Sequence, residues 1–163
     1  MTLSDYIIRE IKPKDNLPIA KIIRSVIIEM GMPKKGTAYE DTSLEDMYHF
    51  YQRDKAIYYV IEYQNSILGG AGISQLQGFK GKTCELQKMY FLPEARHKGL
   101  GSKLIEKCLQ KAREMGYEQC YLETMPYMKA AKALYKKNGF SEIDGPKGNT
   151  CHTAWDVWMI KKL

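Results

Sequence analysis

A mixed α/β domain, with a mostly antiparallel sheet flanked by helices and one parallel strand pair, is the fold this sequence predicts. Three observations predict it. Apolar patterning of strand and helix period follows the order β, α, α, β, β, β, α, β, α, β, β. The strand runs Ile57–Tyr63 and Ile67–Ser74 are separated by Gln64-Asn65-Ser66, which marks an antiparallel hairpin. The central strand run Cys84–Phe91 instead leads through a basic, glycine-bearing loop into a long amphipathic helix and a further strand, the setting for a parallel pair.

Each element has its own signal. Tyr6–Ile11 alternates as a strand. Asp15-Asn16 can cap the next helix, with Pro18 tolerated in its first turn. Ile19, Ile22, Ile23, Val26, Ile27 and Met30 then form one apolar stripe, closed by Gly31 and Pro33. After a loop to Asp41, Thr42 or Ser43 is expected to cap a short second helix burying Leu44, Met47, Tyr48 and Tyr51. Gly69, Gly70 and Gly72 lie in the second hairpin strand with no helix after them, so a bulge or close packing is expected there rather than a dinucleotide fingerprint. Beyond the central strand come a helix to Met115, a strand at Tyr117–Thr124, and a helix carrying Met128, Ala131, Leu134 and Tyr135. A strand at Phe140–Ile143 and a turn at Gly145–Gly148 lead to a final strand at His152–Lys161.

Composition narrows the class. The 163 residues, 44% apolar and 27% charged, suit one soluble domain spanning 1–163. No run of about 18 apolar residues exists, so no membrane partner is expected. Asp5 and Arg9 interrupt the N-terminus before any signal-like apolar stretch, and a cytoplasmic location is expected. Cys84, Cys108, Cys120 and Cys151 lack close metal-ligand spacing and read as reduced thiols, with no metal site. The net charge of +6 suits a polyanion. Without an aromatic-basic motif, nucleic acid is not the expected one. Oligomeric state is left open between monomer and homodimer.

The chemistry concentrates after the central strand. Glu94-Ala95-Arg96-His97-Lys98-Gly99-Leu100-Gly101 feeds a helix N-terminus, where backbone N–H groups lack intrahelical partners and the dipole favours negative charge. Gly99 and Gly101 permit close approach of a ligand, and Arg96 and Lys98 add positive charge. This is a diphosphate cradle.

Arg96-x-x-Gly99-x-Gly101, following Met89-Tyr90-Phe91-x-Pro93, resembles the acetyl-CoA-binding motif of the GNAT N-acetyltransferase superfamily. Ala131-x-x-Leu134-Tyr135-x-x-x-Gly139-Phe140 resembles its helix-to-strand signature. The resemblance spans nearly the whole chain and implies the GNAT fold, with the parallel pair splayed around acetyl-CoA. It implies that the backbone of Met89, Tyr90 and Phe91 holds the pantetheine arm, with Met89 polarising the thioester. Arg96, His97, Lys98, Gly99, Leu100, Gly101 and Ser102 would hold the diphosphate, and Tyr135 would protonate the departing thiolate. The family often has Asn where this chain has Met128, which implies a more apolar site.

An acceptor ammonium must lose a proton before attack. Glu123, late on its strand, and Glu85, placed on the same face as Met89 by period-two counting, are the candidate bases. Tyr39, Glu40, His152 and Asp156 are expected around the acceptor, with Asp156 buried in an apolar strand and His152 as its partner. The acidic Glu40, Asp41, Glu123 and Asp156 favour a cationic amine. Transfer of acetyl to a small-molecule or amino-acid-like primary amine is the expected function. Two alternatives are a protein or peptide acceptor and a non-catalytic coenzyme A sensor. A pocket closed by Tyr39 and Tyr51 would disfavour peptides.

Overall fold

The structure is a computed structural model and describes residues 2–163. Seven strands form one sheet in the order β1-β2-β3-β4-β5-β7-β6: β1 Tyr6–Glu10, β2 Ile57–Tyr63, β3 Ser66–Gln75, β4 Thr83–Phe91, β5 Gln119–Thr124, β6 Ser141–Ile143 and β7 Val157–Lys162. The helices are α1 Asn16–Glu29, α2 Met47–Phe50, α3 Leu100–Glu114 and α4 Lys129–Lys137. Every pairing is antiparallel except β4 with β5, as the hairpin and loop-helix patterns predicted.

The apolar stripes sort into two cores, one on each face of the sheet. Ile57, Tyr59 and Ile61 of β2 pack with Leu104, Ile105, Cys108 and Leu109 of α3. Tyr58 and Val60, between them in sequence, pack with Ile19, Ile23 and Ile27 of α1 on the other face. Covering both faces explains why Ile57–Ile61 of β2 is apolar throughout rather than alternating in polarity. Cys84, Cys108 and Cys120 are buried and unbridged, and Cys151 is exposed.

Two elements differ from expectation. The second helix is broken into single 3-10 turns at Ala38–Glu40 and Thr42–Glu45 before the four residues of α2. Its cap is Asp46, whose carboxylate accepts the His49 N–H at 3.1 Å, rather than Thr42 or Ser43. The last strand begins at Val157, not His152. Residues 144–156 form an irregular loop because their polar side chains bond other elements and Cys151 adopts φ +61°.

The parallel pair controls the rest. Register runs Thr83↔Gln119, Cys84↔Cys120 and Glu85↔Tyr121, and pairing then stops. The β5-facing edge of β4 beyond Glu85 has no strand beside it, so a wedge opens between the two.

Candidate active site

The wedge is shaped by a bulge. Opposite β4, Gly70 pairs with Tyr90 but Gly72 pairs with Gln87, so Lys88 and Met89 together face Ala71. Lys88 adopts φ +50°. The extra residue reverses the alternation of β4, which sequence counting had no way to include. Cys84 and Leu86 lie in the α3-side core, yet so does Met89, while Tyr90 lies in the α1-side core. Glu85 and Met89 are therefore on opposite faces, a correction to the period-two count.

The bulge has visible supports. The Tyr58 hydroxyl donates to the Lys88 carbonyl at 2.7 Å. The ring needs bare backbone opposite: a Cβ on Gly70 or on Gly72 would each meet a Tyr58 ring carbon at 2.6 Å. Bulge and close packing thus explain these glycines, as expected. Tyr51, its ring tilted against that of Tyr58 with centroids 5.1 Å apart, donates to Gln87 Oε1 at 2.7 Å. Gln87 Nε2 in turn donates to Glu85 Oε1 at 2.7 Å.

Glu85 is only 6% exposed. Burial pushes its carboxyl up to about 7, aided by the negative charge of Glu123 and opposed by the Gln87 hydrogen bond. It lines two pockets that meet at Glu85, Gln87, Lys88 and His152. One is the wedge itself, which also holds Met89, Tyr90, Glu123, Thr124, Met128 and Tyr135. The other, of about 530 Å³, extends toward Asp41, Phe50, Arg53, Ser74, Gln75 and Thr150.

Tyr135 lies on α4 with its ring edge toward Phe140, centroids 6.2 Å apart. Burial lifts its phenol to about 12, and its hydroxyl has no hydrogen-bond partner among the described residues. Glu123 is otherwise engaged: it accepts from Tyr121 at 2.8 Å and from Thr150.

Loop 144–156 lines the second pocket through Thr150, Cys151 and His152 and is fastened there. Lys147 N–H donates to Tyr121 Oη, Asn149 N–H to the Gln77 carbonyl, and Thr150 to Glu123. His152 Nε2 lies 2.8 Å from Asp41 Oδ1, and Lys88 Nζ lies 3.0 Å from Asp41 Oδ2. Burial opposes charge on both His152 and Asp41, but their mutual bond prevails, helped at Asp41 by Lys88 and opposed at His152 by the same cation. The imidazole is raised and the carboxyl lowered. Asp41, not Asp156, is the partner of His152, because Asp156 is exposed. Tyr39 lies against the cations of Arg24 and Lys34, and Glu40 accepts the Gly36 N–H. Neither they nor Asp156 line the two pockets. Sequence reading missed Gln87, Lys88 and Arg53, because only the bulge and the placement of α2 bring them in.

At the helix start, the backbone N–H groups from His97 to Ser102 meet no protein acceptor among the described residues. The first bond is Lys103 N–H to the Gly99 carbonyl at 3.3 Å. Gly99 has φ +74°, and a Cβ there would meet nothing within 4 Å. Gly101 differs, since its Cβ would lie 2.8 Å from Leu134. Arg96 braces the loop, bonding Glu29 through two 2.8 Å contacts and the Phe91 carbonyl at 2.7 and 3.0 Å. Ser102 accepts from Asn138 at 3.1 Å, and Leu100 is core.

The acetyltransferase (GNAT) family model matches residues 26–140. The chain belongs to the GNAT acetyltransferase family. It is similar to the uncharacterized N-acetyltransferase YjgM of Escherichia coli K12, 42% identical over 158 residues, which cover 96% of this chain and 95% of that one. Its fold matches a GNAT-family acetyltransferase of Staphylococcus aureus Mu50 with TM-score 0.83, at 21% identity over 96% and 98% of the two chains. It also matches the PaiA N-acetyltransferase of Thermoplasma acidophilum, solved with coenzyme A, with TM-score 0.76 and 18% identity over the full length of both.

This GNAT protein is an acetyl-CoA-dependent N-acetyltransferase. The residues present fit that cofactor. Six N–H groups without acceptors at the start of a 15-residue helix suit a diphosphate, and open space at Gly99 leaves the backbone approachable. The unpaired edge of β4 suits the amide-bearing arm, much as an added strand would.

Proposed function

We propose that this enzyme acetylates a primary amine of a small-molecule or amino-acid-like acceptor, with Glu85 as base and Tyr135 as acid. The observation that carries this reading is the position of Glu85, buried where the wedge meets the second pocket, with Tyr135 on the wedge side alone. The fastened loop 144–156 bounds the acceptor pocket, which supports a small acceptor over a peptide.

Bound acetyl-CoA supplies an activated acyl group on sulfur. The diphosphate is assigned to the N–H groups of His97 to Ser102 with Lys98, and the brace through Arg96 keeps that loop on the end of β4. Backbone N–H groups of the bulged Lys88–Tyr90 segment polarise the thioester carbonyl, Met89 being the favoured donor. Glu85, whose carboxyl loses its proton near pH 7, takes one proton from the ammonium at its free oxygen, Oε2. The N–C bond forms as the C–S bond breaks. Tyr135 gives its proton to the sulfur and regains one from the nitrogen through solvent, so the ammonium sheds two in all. A phenol raised to about 12 is fully protonated at neutral pH and suits this duty. Glu123, with both oxygens engaged, is assigned to holding Thr150 and so the loop.

The test is release of coenzyme A thiol against a panel of small primary amines, comparing wild type with Glu85→Gln. Release with at least one amine, lost in the variant, supports the reading. Equal release by both proteins would remove Glu85 as the base.

A further inference from the structure

We propose that the acceptor is an amino-carboxylate, whose carboxylate is held by Arg53 and Lys88 while its amine reaches Glu85. This rests on the N-acetyltransferase reading above and specifies its substrate class.

Arg53, just beyond α2, lies with its guanidinium carbon 3.7 Å from the Phe50 ring centre and donates to the Phe50 carbonyl at 3.1 Å. Among the described residues no carboxylate lies within ion-pairing distance of it, yet it lines the second pocket. Lys88 points to the same ring, its Nζ 5.4 Å from the centre. The Lys88 side chain is 5% exposed, a costly place for a charge with one carboxylate partner. Its partner is also shared, since Asp41 bonds His152 as well. An ammonium has three donors, and Asp41 accounts for one.

The acids of the site are spent differently. Asp41 is held between Lys88 and His152, and Glu123 between Tyr121 and Thr150. Of these acids, only Glu85 keeps an oxygen without a protein partner among the described residues, and it stands at the wedge end of the pocket. The pocket therefore offers one proton acceptor at its reacting end and two cations along its wall. A zwitterionic molecule is complementary to both. A cationic amine without a carboxylate, which the acidic residues in the sequence had favoured, would bring only positive charge against Arg53 and Lys88. A guanidinium flattened on an aromatic ring still presents its edge for bidentate recognition of a carboxylate.

The experiment measures thiol release with the common α-amino acids, their decarboxylated amines and spermidine, for wild type and Arg53→Gln. Acetyl-CoA binding is followed in parallel by calorimetry. The inference expects at least one amino acid to be used with kcat/KM ~10-fold or more above that of its decarboxylated amine. In Arg53→Gln its KM should rise ~10-fold, and the preference should collapse toward one. Turnover of decarboxylated amines or spermidine equal to or better than any amino acid would overturn the inference and leave the enzymatic reading standing. Thiol release from none of them, with acetyl-CoA binding intact, would overturn both.

Discussion

Replacing Glu85 with glutamine should stabilise the protein at alkaline pH while removing its activity, and the size of the effect follows from the site. Burial lifts this carboxyl from 4.5 to about 7. At about 1.4 kcal/mol per pKa unit, that difference corresponds to about 3 kcal/mol. Because the folded value lies above the unfolded one, the folded state binds the proton more tightly. The resulting stability is fully present below pH 4.5 and is lost as pH rises through about 7. Glutamine has no proton to lose, and its side-chain oxygen keeps the bond from Gln87. Urea unfolding of both proteins near pH 5 and near pH 8 isolates this group, since other titrations cancel in the difference. Between those conditions the difference should move by about 2.5 kcal/mol toward the variant. Over the same range wild-type kcat/KM should climb through pH 7, while the variant stays ~100-fold or more below it. A stability difference that is flat with pH would refute the account of burial. Undiminished turnover would refute the base.

Three further outcomes follow from named contacts. Tyr135→Phe should lower kcat ~10-fold or more with acetyl-CoA affinity nearly unchanged by calorimetry, because only the unpartnered hydroxyl is removed. Gly99→Val should weaken acetyl-CoA binding ~10-fold or more while costing only about 1–2 kcal/mol in urea unfolding, since the new side chain enters open space at φ +74°. Asp41→Asn should lower the His152 titration midpoint, read by NMR, because the carboxylate that outweighs burial at that imidazole is gone.

Much of the fold could be read from the chain. Helix stripes, the hairpin and the glycine loop are local patterns, and each reports a local structure. The wedge and Tyr135 were expected through the family resemblance, whereas Glu85 entered through a period-two count that the bulge overturns. What escaped was non-local. One left-handed residue, Lys88, turns β4 over, so no count of alternate positions could place Met89 opposite Glu85 or bring Lys88 to Asp41. The tyrosines that hold the bulge lie on β2 and at the end of α2, and their need for bare backbone reached the sequence only as Gly70 and Gly72. The segment 150–156 misled because Trp155, Val157 and Trp158 look like strand, while Thr150 and His152 answer to carboxylates more than 25 residues away. Arg96 reads as a phosphate ligand in isolation, and only the end of α1 supplies the Glu29 that occupies it.

The most direct test of the whole account is a calorimetric titration of the protein with acetyl-CoA. Saturable binding of one molecule per chain, weakened in Gly99→Val, is the predicted result. Absence of binding by a folded protein would contradict the assignment of the β4–β5 wedge and the α3 N-terminus as its cofactor site.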